Sequence, residues 1–114
     1  MDYVIKLADF TKTPMGRFIS DSKSNSGEAF REEVIIPALN ANNSIIINLD
    51  DVKFAIGSSF LEESIGGLIR LKGFTEEDIR KRIKIESSNE IYKLLIDKYI
   101  KIAEGIRVNK KGSE

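Results

Sequence analysis

Between Asn42-Asn43 and Asp50-Asp51 the chain runs Ser44-Ile45-Ile46-Ile47-Asn48-Leu49. A short, β-branched, almost unbroken apolar run closed at both ends by turn-forming residues reads as a central strand buried on both faces, as parallel strands are. Helical patterns flank it. Upstream, Ser26 is placed to cap a helix whose first turn holds Glu28 and whose inward stripe is Phe30, Val34 and Ala38. Pro37 lacks an N–H and is expected to kink the last turn of that helix or end it early. Downstream, Ser59-Phe60-Leu61-Glu62 has the spacing of a capping box and opens a second helix, with Leu61, Ile65 and Leu68 inward and Gly73 closing it. Gly66-Gly67 inside that helix each cost about 1 kcal/mol relative to Ala. Such a pair is explained by close approach of a neighbouring element, either within the domain or on a partner.

The rest of the chain fills in around this unit. Tyr3, Ile5 and Leu7 alternate on one face of a first strand over 3–8, and Thr13-Pro14-Met15-Gly16 supplies a turn. Arg17-Phe18-Ile19 is expected to pair back as a short second strand, followed by a polar loop over 20–26. Thr75-Glu76-Glu77-Asp78 opens a short helix, and Arg82-Ile83-Lys84-Ile85-Glu86 alternates as a strand with one wet face. Ser88-Asn89 caps a last helix with Ile91, Leu94, Leu95, Tyr99 and Ile102 inward and Gly105 at its end. The order β-β-α-β-α-α-β-α predicts an α/β fold, a mixed four- to five-stranded sheet with helices mainly on one face. A single domain is expected over 1–105, with residues 106–114 as a flexible tail.

Composition narrows the chemistry. The 114 residues contain neither cysteine nor histidine. That removes disulfides, thiolate catalysis, cysteine zinc sites and the usual general base, and it fits a reducing, cytoplasmic setting. Eighteen Lys+Arg balance eighteen Asp+Glu, against the basic excess of a nucleic-acid or membrane-surface binder. No apolar run is long enough to span a membrane, and the start of the chain enters a strand pattern directly, without the form of a cleavable signal. The expectation is a non-enzymatic module with no cofactor and no metal.

Several groups could still carry function. Gly57-Ser58-Ser59 joins a strand to a helix, and in open sheets ligands meet the carboxyl ends of strands. Ser58 and Ser59 read either as caps or as hydroxyls that face a ligand, where free N–H groups and the helix dipole favour an anion. Glu62-Glu63 invites an acid–base reading, but adjacent helical positions point about 100° apart and capping explains both. Asp50-Asp51 reads as a turn, with no further oxygen ligands at loop spacing. The Ser-rich loop lacks the Lys-Ser/Thr of a phosphate-binding loop. Arg70, Lys72, Arg80, Lys81, Arg82 and Lys84 form the densest basic region, read as a solvated face because acids border it and no aromatic residue interleaves it.

One resemblance covers more than half the chain. Asp9-Phe10, Gly16-Arg17-Phe18, Ser26-Gly27-Glu28-Ala29-Phe30-Arg31-Glu32-Glu33, Pro37-Ala38-Leu39, Asn48-Leu49-Asp50-Asp51-Val52 and the stretch from Gly57 to Leu68 resemble the STAS-like domain family of unknown function. That family is similar to STAS domains such as bacterial anti-sigma factor antagonists, which bind a histidine-kinase-like ATPase that phosphorylates a serine in the strand-to-helix turn. The resemblance implies a regulatory or adaptor module whose protein partner is such an ATPase. It puts Ser58, or else Ser59, at the switch position and makes Gly57, Ser58, Ser59, Phe60, Glu62 and Glu63 the docking surface. Gly57 stands where the antagonists usually carry an Asp, and Phe60-Leu61 follow where they carry a Gly. The alternative is a small-ligand or nucleotide-binding domain that uses the helix N-terminus at Ser58-Ser59.

Overall fold

The computed structural model describes residues 3–112; residues 113–114 of the expected tail lie outside them. Three four-residue strands, β1 (Tyr3–Lys6), β2 (Ile45–Asn48) and β3 (Ile83–Glu86), form a wholly parallel sheet in the order β1-β2-β3. The isoleucine run is therefore the central strand. Its register sets Ile5, Ile47 and Ile85 side by side, and next to them Tyr3, Ile45 and Ile83.

The sheet has three strands rather than four or five because Arg17–Ile19 does not pair as a strand. Its backbone donors are taken by carboxylates instead: Phe18 N–H donates to Asp21 and Ile19 N–H to Glu28. Local side-chain acceptors of this kind compete directly with a ladder. The segment is held against the next helix by Gly27 N–H to Gly16 O and Glu28 N–H to Arg17 O.

Helices cover one face of the sheet. Ile5, Ile45, Ile47 and Ile83 join Phe30, Ile35, Leu39, Phe60, Leu61, Leu68, Ile96 and Ile100 in one core. The opposite face carries Val4 (50% exposed) and exposed Lys6 and Lys84. Ile46 and Asn48 are half-buried there, so β2 is sealed on one side only, a departure from the two-sided burial its composition suggested. A short α1 (Leu7–Phe10) follows β1.

The two principal helices share an architecture. Each has a short α-helical start, α2 (Gly27–Phe30) or α4 (Ser58–Leu61). Each then has a π-helical turn, Arg31–Ile35 or Glu62–Gly66, and an α-helical end, α3 (Ile36–Ala41) or α5 (Gly67–Lys72). Ile36 and Gly67 each donate an N–H to the carbonyl five residues back. The first π turn explains why Pro37 does not end its helix. Pro37 falls in the first turn of the resumed α-helix, where a missing N–H is tolerated.

After α5, Thr75 and Asp78 form a reciprocal capping box on α6 (Glu76–Arg82). The long α7 (Glu90–Gly112) runs through Gly105 without stopping. Its inward face is Ile96, Ile100 and Ala103, with Leu95 and Tyr99 partly buried, whereas Ile91, Leu94 and Ile102 face outward. The helix is thus rotated from the expected face, because it is apolar on more than one side and packs against α5 and the second π turn.

Candidate functional site

The loop that leaves the C-terminal end of β2 is pinned at four places before it reaches the serines. Asp50 accepts from the N–H and hydroxyl of Ser88, each at 2.9 Å. Those two hydrogen bonds, backbone first, hold its carboxyl below the usual aspartate range. Asp51 has φ 69°, which fits the expected turn. Lys53 N–H donates to Lys12 O, Ile56 N–H to the Tyr92 hydroxyl, and Gly57 N–H to Pro14 O. Among the described residues no group of three or more acidic side chains gathers as a metal site.

Gly57 is the N-cap of α4, and no side chain caps the helix start. Ser58 and Ser59 are the first two helical residues, and both are exposed. The expected capping box at Ser59 and Glu62 does not form, because Glu62 is drawn away by two arginines. The Gly57 carbonyl accepts from Leu61 N–H. The first N–H groups of this helix have no side-chain cap and form the positive end of its dipole. The corner is also apolar: Phe54 (55% exposed) and Met15 stand in the adjoining loops, with Met15 next to Gly57.

Two of the expected docking residues are not on the surface. Phe60 is 1% exposed and stacks at 5.7 Å from the Phe30 ring. Glu63 is equally buried. Phe60 points to the core because its neighbours on the helix are solvent-facing serines, and a buried aromatic ring anchors the start of α4 against α2. Gly57 and Glu62 are half-buried and Ser58 and Ser59 exposed, so the surface portion of the expected set is these four.

Glu62 and Glu63 do converge, contrary to the reading from their adjacency, because Arg17 and Arg70 each bridge the two carboxylates and Arg31 holds Glu63. Arg31 Nη1 lies 2.7 Å from Glu63 Oε2 and also donates to the Glu63 carbonyl. Arg17 hydrogen-bonds both carboxylates. Arg70 Nη2 lies 3.0 Å from Glu62 Oε2 and 3.3 Å from Glu63 Oε1. Burial opposes ionisation of Glu63, but the hydrogen bonds from Arg31 and Arg17 and the charge of Arg70 prevail and hold its carboxyl below the ordinary glutamate range. Arg31 further contacts Glu32, which also pairs with Lys72.

Glycines make this seam possible. A Cβ at Gly27 would collide with the Phe60 carbonyl, and one at Gly67 with the Arg31 guanidinium. Gly67 of the glycine pair in the second helix is thereby explained within the chain, and a Cβ at Gly66 would meet the Glu62 carboxylate. The basic run is also partly absorbed. Arg82 donates to the carbonyls of Leu39, Asn42 and Asn43 and so caps α3, and Arg80 pairs with Glu76 and Asp97.

The arginine set was missed in sequence. Arg70 was within reach of inspection, since it lies two helical turns from Glu62 and Glu63. Arg17 and Arg31 had no local signal, because Arg31 meets Glu63 only through the packing of two helices and Arg17 meets the carboxylates only through the loop that precedes α2.

Comparison with known families matches residues 26–93 to the STAS-like domain of unknown function (DUF4325). The chain belongs to this family. The matched span begins at the Ser26 cap and takes in both π-containing helices, the serine corner, β3 and the start of α7. No curated protein and no solved structure matches the chain. Among the described residues no helix is long and apolar enough to cross a membrane.

Proposed function

We propose that this STAS-like domain is a non-enzymatic regulatory module that docks a protein partner at its serine corner. The observation that carries the reading is the division of labour within one helix start. Ser58 and Ser59 are exposed as the first residues of α4, Phe54 and Met15 are exposed in the loops that adjoin it, and Phe60 and Glu63 are buried and anchor the corner to the core. A docking surface needs such an amphipathic, preorganised patch. Glu62 and Glu63, the pair that acid–base chemistry would use, are each held by arginines, which favours a structural role for both.

The partner class we infer is a histidine-kinase-like ATPase, by similarity to STAS domains, and the setting is cytoplasmic. A phosphate on Ser58 or Ser59 would add close to two negative charges at an uncapped helix N-terminus, where it is locally tolerated and would reverse the character of the patch.

Affinity capture of the tagged chain, with mass spectrometry of both the co-purifying proteins and the 53–70 region, tests this. The expected result is a histidine-kinase-like ATPase recovered with the wild-type chain and lost with Ser58→Asp or Phe54→Ser, each variant retaining its melting temperature. Equal recovery with both variants would overturn docking at this corner. If the chain is instead stabilised by a nucleotide or inorganic phosphate in a thermal-shift screen, and Ser58→Asp abolishes the shift, the small-ligand alternative holds.

A further inference from the structure

A second interaction surface lies away from the Ser58-Ser59 corner, along the free edge of β3. β3 is the last strand of the sheet and pairs with β2 alone. Leu49 N–H donates to Glu86 O, so Glu86, and Lys84 two residues back, turn their backbone groups toward β2. The N–H and C=O groups of Ile83 and Ile85 then turn outward. Ile83 N–H is used to close α6 on the Ile79 carbonyl. The Ile83 carbonyl and both backbone groups of Ile85 have no partner among the described residues.

This edge opens onto a cleft of about 570 Å³ between β3 and α7. Its floor is aliphatic: Ile83, Ile85, Ile96 and Ile100. Its rim is cationic. Lys81 and Lys84 are exposed and make no ion pair among the described residues; Lys93 has one salt bridge, to the exposed Glu90 at 3.6 Å, and its charge also reaches Asp50. The one acid lining the cleft, Asp97, is already paired with Arg80 and Lys101.

We propose that this edge accepts an extended, acidic segment of a partner protein as a fourth strand. Unpaired strand backbone recognises another strand, and side chains alternating along that strand set its specificity. Successive side chains of the added strand would point alternately into the isoleucine floor and toward the opposite face, where Lys84 stands. The matching segment alternates aliphatic and acidic residues. Complementary charge selects an acidic segment over a basic one.

The probe is an acetylated, amidated nonapeptide that alternates Glu with Val, with a Lys/Val peptide as its counterpart. Binding is followed by amide NMR and hydrogen exchange on the full chain, and self-association by light scattering. The Glu peptide is expected to shift and protect the Ile85 amide, and the Lys peptide to bind about tenfold more weakly or not at all. The triple variant K81E/K84E/K93E should invert that preference. Ile85→Pro should abolish Glu-peptide binding while the fold persists, since proline is admitted on an edge strand where the N–H faces out. Equal binding of the two peptides, binding that leaves Ile85 exchange unchanged, or no binding of the Glu peptide at millimolar concentration would each overturn the proposal. So would a dimer of the chain that protects Ile85 without any peptide, because a second copy would then be the occupant.

Discussion

Two serine-led helix starts occur in this domain, and they have opposite fates. Ser26 is fully buried, and its hydroxyl accepts the Ala29 N–H at 3.1 Å, at the head of a helix packed against the other one. Ser58 and Ser59 are exposed and cap nothing. The same side-chain chemistry serves structure in one place and is left available in the other. The difference is set by what surrounds each start. Ser26 adjoins Gly27, where the two helices touch, and that seam is closed by the buried Arg31–Glu63 pair. Ser58 follows a loop held by backbone N–H bonds to Lys12, Pro14 and the Tyr92 hydroxyl, and no helix packs over its own hydroxyl, which is exposed.

The comparison fails if the seam can be altered cheaply or the corner cannot. The largest effect is expected from Glu63→Ala, which leaves the buried Arg31 without its carboxylate. A loss of about 3–5 kcal/mol of stability follows, measured by urea unfolding. A loss under about 1 kcal/mol would mean that solvent reaches the seam. The pH dependence has the same origin. The Glu63 carboxyl is held below its unfolded-state value, so its contribution is present above the unfolded pKa of about 4.3 and is lost as pH falls through the depressed folded value. Acid unfolding of the wild-type chain should therefore be steeper than that of Glu63→Gln, in which this dependence is missing.

Gly27→Ala comes next. Its methyl must displace the Phe60 backbone, with an expected cost of about 1–3 kcal/mol from overpacking. Ser26→Ala should cost about 1 kcal/mol, the value of one helix cap. Thermal unfolding of the two variants and of their double mutant would show whether cap and seam act as one unit, because neighbouring sites couple non-additively. The smallest effect is expected at the corner: Ser58→Ala and Ser59→Ala should each stay within about 0.5 kcal/mol of wild type. A larger loss would make these serines structural after all.

Elements that rest on local chemistry were legible in the sequence. The three strand segments, the Ser26 cap, the start of α6 at Thr75 and the turn at Asp51 all follow from residues close together in the chain, whereas the wholly parallel pairing, against the expected mixed sheet, depends on which distant segments meet. The features that escaped depend on distant partners. The strand expected at Arg17–Ile19 was pre-empted by Asp21 and Glu28 carboxylates. Ser59-Phe60-Leu61-Glu62 has capping-box spacing, yet the true box is Thr75 with Asp78, since Glu62 is held by Arg17 and Arg70. On α7, Ile91, Leu94 and Ile102 compete with Ile96, Ile100 and Ala103 for the core, and periodicity cannot choose between two apolar faces.

What the sequence determined alone was therefore the family, the order of most elements and the position of the serine corner. Hydrophobic periodicity and turn chemistry act over a few residues, and so they can be read along the chain. Which carboxylates are neutralised, which face of α7 turns inward, and which of six expected docking residues reach the surface were decided by the packing of one helix on another. Those outcomes depend on desolvation and on contacts between residues tens of positions apart, and only the folded chain brings them together.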